Sequence, residues 1–340
     1  MNNMIGNTPL FVIQYKYKGE PRVLYAKAEF YNLTGSIKDR MAQYIIEQSY
    51  LDGTLKPGMP IIEATSGNTG IAFSALEALY EHPVHIFMPQ WMTSERKQMI
   101  QKYGAILHEV TKEQGGFEGA VKLADKLAED IGGFRPQQFF NPYNQDAHFY
   151  TTGLEICTQM DKLHVIPDGF VAGVGTGGTI MGVGKRLRLK YPHVKLFPLE
   201  PYKSQAMTKH ECGQEHRIQG IGDGFVPELV KLDYLDDVLV VHDGDAILMA
   251  KKLARRLGIG VGISSGANFI GAVMAQNRYG KEFTVVTVFC DDSKKYLSSD
   301  LLKQEPMEED YFSKDIELID VDATCICDVR IKEGTCLPRL

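Results

Sequence analysis

Short apolar segments alternate along the chain with longer segments in which apolar residues recur every three or four positions. The longer segments predict helices at residues 37–48 and 93–103, each with one apolar face. The short segments predict strands at residues 60–62, 84–88, 170–174, 195–199 and 284–289. Strands that alternate with helices are typical of a parallel α/β fold, and their order favours a doubly wound sheet.

The C-terminal part of the chain has a different pattern. Residues 303–315 are charged and include Pro306, residues 316–321 fit a strand, and no clear periodicity follows. We therefore predict a C-terminal appendage at residues 304–340.

Length and charge limit the possible functions. A chain of 340 residues with 44% hydrophobic residues is long for one domain, so we expect two. The formal net charge is -6 and no dense Lys/Arg block is present, which argues against a nucleic-acid partner. No apolar stretch is long enough for a bilayer, and the first residues lack the pattern of a secretion signal. We expect a cytoplasmic protein with no membrane partner.

The six cysteines are scattered, and none forms a C-x-x-C pair. Cys325, Cys327 and Cys336 could bind a soft metal, but reduced thiols without a metal are expected in the cytoplasm. The sequence therefore predicts no metal site and leaves the role of these three thiols open.

The first of four glycine- and serine-rich stretches contains Lys38. Ser36 is predicted to cap the helix that follows, which places Lys38 in its first turn. The positive helix end and any cationic neighbour would lower the pKa of Lys38 and favour the free amine that imine formation requires. Taken alone, Lys38 would be a solvated surface lysine.

The second stretch, residues 63–70, lies between a predicted strand and a predicted helix. Backbone N–H groups at the helix start, together with the hydroxyls of Thr65, Ser66 and Thr69, can bind a carboxylate. Asn68 adds an amide that could hydrogen-bond a ring oxygen. An ordinary capped turn is the alternative.

The third stretch, residues 173–179, also opens a helix. Glycines let the backbone approach a phosphate closely, and threonine hydroxyls and the helix dipole favour the dianion. The residues expected to bind it are Gly175, Thr176, Gly177, Gly178 and Thr179. The same stretch fits G-x-G-x-x-G, and Glu200 ends the next predicted strand, so a nicotinamide dehydrogenase is an alternative.

The fourth stretch, residues 262–267, precedes another apolar helical segment. Ser264 could hydrogen-bond a pyridine nitrogen without fully protonating it, which favours chemistry at the β-carbon over transamination. A plain helix cap is the alternative.

In this order the four stretches resemble the fold-type II pyridoxal phosphate (PLP) enzymes, specifically the O-acetylserine sulfhydrylase and cystathionine β-synthase family. The resemblance extends to further segments at residues 5–10, 94–96, 138–142, 151–153, 219–222 and 291–298. It implies an α/β fold of the tryptophan synthase β type, with two doubly wound domains and mostly parallel sheets. It also implies a homodimer.

The resemblance divides the chain into a larger cofactor-binding domain, residues 1–40 plus 147–303, and a smaller, mobile domain at residues 41–146 that binds the substrate carboxylate. Lys38 would hold PLP covalently and move the α-proton. The other residues that would contact PLP are Asn68, Ser264 and the phosphate-binding residues 175–179. The residues that would contact the substrate are Thr65, Ser66, Asn68, Thr69, Gln138 and Gly222.

The reaction implied is β-replacement or β-elimination on a small amino acid through an aminoacrylate intermediate, with sulfide or a thiol as the second partner. Cysteine synthesis from O-acetylserine and sulfide is the leading expectation. A non-catalytic binding scaffold on the same fold is an alternative from another class.

Asp223 departs from the resemblance, because the family usually has a small or uncharged residue there. A carboxylate at this position could act catalytically, by activating water or a thiol, and would repel hydrosulfide. The alternative reaction is therefore the consumption of cysteine with release of hydrogen sulfide and formation of serine, lanthionine or cystathionine. Asp223 could also turn outward and cap a turn.

Overall fold

The structure is a computed structural model of the 340-residue chain, and it describes residues 4–210 and 215–326. Its strands are β1 Leu10–Tyr17, β2 Glu20–Ala28, β3 Ile61–Ala64, β4 Val84–Pro89, β5 Ile106–Val110, β6 Gly169–Gly173, β7 Lys195–Pro201, β8 Leu239–Val241, β9 Val285–Phe289 and β10 Ile316–Thr324. Its α-helices are α1 Lys38–Leu51, α2 Asn68–Tyr80, α3 Ser94–Lys102, α4 Gly116–Ile131, α5 Pro142–Ala147, α6 Gly153–Lys162, α7 Gly178–Lys190, α8 Asp243–Leu257 and α9 Ile263–Tyr279.

The larger sheet has seven strands in the order β10-β1-β2-β9-β6-β7-β8. β1 runs antiparallel to β10 and β2, whereas the pairs from β2 to β8 are parallel. Every residue of β9 is buried, as expected for a central parallel strand with both faces covered. The phosphate-loop candidates follow β6, at the carboxyl edge of this sheet.

The smaller sheet is parallel, with the order β3-β4-β5. Its core is apolar, and α2 contributes Ile71, Phe73 and Leu76 to pack against Ile86 and Met88 of β4. The carboxylate-loop candidates follow β3, so they lie at the carboxyl edge of this second sheet. Two mostly parallel sheets with intervening helices confirm the predicted α/β class. The residue bounds given for the domains stay a prediction.

The C-terminal strand predicted at residues 316–321 is confirmed as β10, and it joins the large sheet by pairing with β1. Cys325 is exposed, and Cys327 and Cys336 lie outside the described residues.

Within residues 4–210 and 215–326, none of the helices combines the length and the apolar character that a membrane span requires.

Candidate active site

One pocket contains residues from all four glycine- and serine-rich stretches and from both sheets' loops. The predicted site residues that line it are Lys38, Thr65, Ser66, Asn68, Thr69, Gln138, Gly175, Thr176, Gly177, Thr179, Asp223 and Ser264. Gly178 follows directly as the first residue of α7. Gly222 lies instead in an adjoining groove, which shares Asp223 with the pocket.

Lys38 is the first residue of α1 and is half-buried. Burial lowers the pKa of Lys38, although the nearby acidic groups, including Asp223 and Asp291, act in the opposite direction. The direction agrees with the sequence-based prediction, but the predicted cationic neighbour is not its cause. The predicted cap is wrong, because Ile37 precedes the helix without a capping side chain and the buried Ser36 hydroxyl has no hydrogen-bond partner within residues 4–210 and 215–326.

The loop of residues 65–69 leads into α2 and leaves the first N–H groups of that helix without intrahelical partners. Thr65 Oγ1 accepts a hydrogen bond from Gly67 N at 3.0 Å, which folds the loop back on itself. Thr69 Oγ1 donates to Gln138 Oε1 at 2.6 Å, and Gln138 Nε2 donates to Ala64 O at 3.2 Å. Gln138 therefore braces the loop, while the Ser66 hydroxyl and the helix N–H groups are available to a carboxylate.

The start of α7 requires glycine for close packing. A Cβ on Gly175 would lie 2.4 Å from the Gly220 carbonyl oxygen, and one on Gly178 would lie 2.0 Å from Asn144 Oδ1. Gly177 has φ +82, in the left-handed region that favours glycine. Gly178 N donates to Thr176 Oγ1 at 3.4 Å, and the next N–H groups of the 13-residue helix, which lack intrahelical partners, make a receptor for a dianion.

The remaining polar groups of the pocket fit an aromatic cofactor. Ser264 stands in the first turn of α9 with 4% of its surface exposed. Asn68 Nδ2 donates to Asp291 Oδ2 at 2.7 Å, but the buried Asn68 Oδ1 has no partner among the described residues. A phosphate receptor, a hydroxyl, an unpaired amide oxygen and a lysine in one pocket suit four groups of PLP: the phosphate, the pyridine nitrogen, the ring hydroxyl, which can donate to the amide oxygen, and the aldehyde.

Asp223 lies on a loop of residues 219–224, on the wall shared by the pocket and the adjoining groove. The residue as a whole is exposed at the wall of the cleft. Many protein atoms nevertheless lie around the carboxyl group, and this partial burial raises its pKa, while Lys38 and His216 act in the opposite direction. The structure therefore brings the Asp223 carboxylate and the Lys38 amine into one electrostatic environment.

Residues 1–291 match the family described as pyridoxal-phosphate dependent enzymes. The chain belongs to this family. It is a PLP-dependent enzyme of the cysteine synthase type, with the tryptophan synthase β-like fold that its two sheets display.

Relatives within the family differ in their named activities. A hydrogen sulfide-producing enzyme from Fusobacterium nucleatum is 52% identical, with a TM-score of 0.93 over 95% of this chain and 97% of that one. A cysteine synthase from Staphylococcus aureus is 38% identical over 88% of this chain and 96% of its own length. The cysteine synthase of Entamoeba histolytica is 34% identical, with a TM-score of 0.82 over 92% and 93% of the two chains.

Two buried polar residues beneath the pocket were not predicted. His148 Nε2 lies 3.4 Å from Thr179 Oγ1, and burial together with nearby cations holds the pKa of His148 well below its usual range. Asn144 Nδ2 donates to Thr176 Oγ1 and to the Gln138 carbonyl, both at 2.8 Å. Asn144 thus connects the phosphate loop to the segment that braces the carboxylate loop.

Glu200 has no role as a ribose ligand. Its buried carboxylate accepts hydrogen bonds from Met207 N at 2.8 Å and Thr208 N at 3.2 Å. The Glu200 carboxylate therefore holds the turn that follows β7 and has its oxygens already bonded to backbone. Family membership and this geometry together show that the dehydrogenase interpretation is wrong.

Proposed function

We propose that the enzyme consumes L-cysteine, releases hydrogen sulfide and adds water at the β-carbon to form L-serine. The observation that carries this proposal is the position of Asp223 on the wall of the pocket that holds Lys38. The 52% identity to a hydrogen sulfide-producing enzyme supports it. In this reaction L-cysteine and water give L-serine and hydrogen sulfide, so no further reactant is needed.

PLP, when bound, supplies an electron sink that makes the α-proton of an amino acid removable. The residues that would hold it are Lys38, Asn68, Ser264 and the phosphate loop of residues 175–179. The neutral Ser264 hydroxyl would leave the pyridine nitrogen without a full positive charge, which favours loss of the β-substituent over transamination.

The first half of the reaction depends on the carboxylate loop and Lys38. Ser66 and the N–H groups at the start of α2 hold the substrate carboxylate, which fixes the α-carbon relative to the lysine. Because burial lowers the pKa of Lys38, its Nζ is a competent base for the α-proton. The sulfur then leaves the β-carbon as hydrosulfide and takes up a proton from solvent to become hydrogen sulfide, while Lys38 keeps the α-proton.

The second half depends on Asp223. Its carboxylate accepts a proton from water as the hydroxyl adds to the β-carbon, and Lys38 Nζ returns the α-proton to the α-carbon. Asp223 then releases its proton to solvent, which replaces the proton taken up by hydrosulfide. The raised pKa of Asp223 makes it a stronger base than an ordinary aspartate. Its negative charge also opposes the approach of hydrosulfide, which discourages the reverse addition.

An aromatic cluster favours a small nucleophile. Phe117 and Phe139 line the pocket with ring centroids 6.0 Å apart, and the ring of Phe225 lies 5.4 Å from that of Phe139. The cluster joins the start of α4 to the chain beside Asp223, so apolar rings line this side of the pocket. Water needs little polar contact there, whereas the charged groups of a second amino acid would be left without partners beside these rings.

Cysteine synthesis from O-acetylserine and sulfide is the second candidate. The cysteine synthases of S. aureus and E. histolytica, at 38% and 34% identity, favour it. Under this candidate Asp223 would have no catalytic role, so substitution of Asp223 separates the two proposals.

The test compares purified PLP-loaded protein with L-cysteine alone and with O-acetylserine plus sulfide. We expect steady sulfide release with serine as the product from cysteine, and slow cysteine formation in the second mixture. Asp223→Asn should release about one equivalent of sulfide per active site and then lose at least about 100-fold in turnover, the usual range for loss of a general base.

The control is Asp237→Asn, which makes the same chemical change at a half-exposed carboxylate paired with Arg278. It should leave both activities unchanged. Fast cysteine synthesis without cysteine consumption, at a rate that Asp223→Asn does not change, would contradict the proposal. That result would support the second candidate.

A further inference from the structure

Arg96 lies between the carboxylate loop and the loop that carries Asp223. It belongs to α3, and 2% of its surface is exposed. Its Nη1 donates to the Ser66 carbonyl oxygen at 3.5 Å and also to Gln219 Oε1. One guanidinium group therefore contacts both loops.

The guanidinium is fixed from two further sides. It lies over the ring of Tyr296, 4.9 Å from the ring centroid, and Tyr296 donates its hydroxyl to Asp291 Oδ2 at 2.6 Å. A Cβ on Gly67 would lie 2.6 Å from Arg96 Nε, so the glycine lets the carboxylate loop pack directly against the arginine. A movement of the carboxylate loop therefore shifts the Arg96 side chain that packs against it.

The Asp223 loop is held at Gly222, whose N–H donates to Val174 O at 2.9 Å and whose carbonyl accepts from Ser204 Oγ at 2.9 Å, and a further contact holds its start. Gly220, Gly222 and Gly224 have φ values of +91, +72 and +83, and glycines of this kind give a loop little stiffness of its own. Gln219 is the residue at which Arg96 holds this loop, four positions before Asp223.

We propose that Arg96 is a positioning residue that transmits occupation of the carboxylate loop to Asp223 through Gln219. The inference rests on the proposed function for its catalytic consequence. Binding of a substrate carboxylate settles residues 65–69 against Arg96, and the Arg96–Gln219 bond then holds the Asp223 loop in the geometry for water activation. Lys38 lies outside this link, so proton removal from the α-carbon does not depend on it.

The first test measures the coupling without turnover. Hydrogen–deuterium exchange of residues 215–224 is followed in the holoenzyme with and without glycine, which has the substrate's carboxylate and amine but no β-substituent. We expect glycine to slow exchange in the wild type and in Gln219→Glu, which keeps an acceptor for Arg96. Gln219→Leu, which has no acceptor, should lose this protection.

Gln219 is substituted rather than Arg96, because loss of the buried guanidinium could unfold the protein. Lys97→Met is the control, since Lys97 lies on the same helix but forms an ion pair with Glu109 on the partly exposed surface. It should behave as the wild type does. Absence of glycine-dependent protection in the wild type, or its persistence in Gln219→Leu, would overturn the coupling whatever the enzyme's reaction is.

The second test separates the two halves of the reaction. With L-cysteine, Gln219→Leu should release the first equivalent of sulfide within about twofold of the wild-type rate but turn over about tenfold more slowly, as expected from loss of one charge-assisted hydrogen bond. Gln219→Glu should restore turnover. Equal slowing of both phases would contradict the inference, whereas a wild type that does not consume cysteine would contradict the proposed function instead.

Discussion

At the scale of single residues, Arg40 shows how the fold manages buried charge beside the site. Its guanidinium donates to Glu29 Oε2 and Glu155 Oε1, both at 2.6 Å, and all three side chains are largely buried. Arg40→Met leaves the two carboxylates without this partner, so we expect the free energy of unfolding in urea to fall by about 3–5 kcal/mol. The exposed Lys16–Glu317 pair is the comparison, and Lys16→Met should cost less than about 1 kcal/mol. Equal losses of unfolding free energy in the two variants would show that the buried Arg40 ion pairs stabilise the protein no more than the exposed pair does.

The raised pKa of Asp223 predicts the pH dependence of the second half-reaction. A carboxyl whose pKa lies above the ordinary value is protonated, and lost as a base, at a higher pH than an ordinary aspartate as the pH falls. Steady-state sulfide release should therefore decline on the acid side above the usual aspartate range. The pH profile of Asp223→Asn should lack this step. An identical acid limb in the variant would assign it to another group.

The sequence identified residues that carry a motif and missed those that support them. Lys38 and Ser264 stand in glycine- and serine-rich stretches whose order is informative by itself. His148 and Asn144 act from beneath the pocket, and a single buried histidine or asparagine on a helix has no spacing that marks it. Ser36 was assigned as a cap from its position alone, but in the structure it forms a β-bridge with Asp291 instead. Tertiary pairing here overrides a local preference.

At the scale of elements, strands covered on both faces were the easiest to predict. The buried residues of β6 and β9 form continuous apolar runs, so the predicted segments coincide with the observed strands to within a residue or two. β1 and β2 were not predicted, because polar and charged residues interrupt their apolar pattern, and β2 even buries two of them, Arg22 and Lys27. β10 was recognised only as a possible strand, since its pairing with β1 is set by the fold.

The C-terminal segment holds the Asp223 loop through an ion pair. Arg217 Nη1 and Nη2 donate to the two oxygens of Glu305, each at 2.6 Å, and Arg217 Nη1 also contacts Asp300 at 3.3 Å. We expect Glu305→Gln to speed hydrogen–deuterium exchange of residues 215–224 by about tenfold, as loss of a charge-assisted pair implies. Glu308→Gln, at an exposed carboxylate of the same segment, should not change it. Unchanged exchange in both variants would show that the Arg217–Glu305 ion pair does not restrain the loop.

At the scale of the whole molecule, hydrophobic patterning predicted the α/β class, and the resemblance predicted the particular fold and cofactor. Neither could place Asp223, because a loop between glycines can present its side chain to the pocket or to the surface. The side it faces is set by the packing of the loop against Arg96, Arg217 and the core. The domain bounds, the homodimer and the cytoplasmic location stay predictions.

The role of Asp223 is tested most directly by the reaction of L-cysteine in water enriched in oxygen-18, with serine, pyruvate and sulfide measured together. We expect one serine for each sulfide released, with one oxygen-18 atom in the serine side chain, and little pyruvate. Loss of labelled serine in Asp223→Asn should accompany loss of turnover. Sulfide accompanied by pyruvate and ammonia, or no sulfide at all, would contradict the claim that Asp223 directs water to the β-carbon.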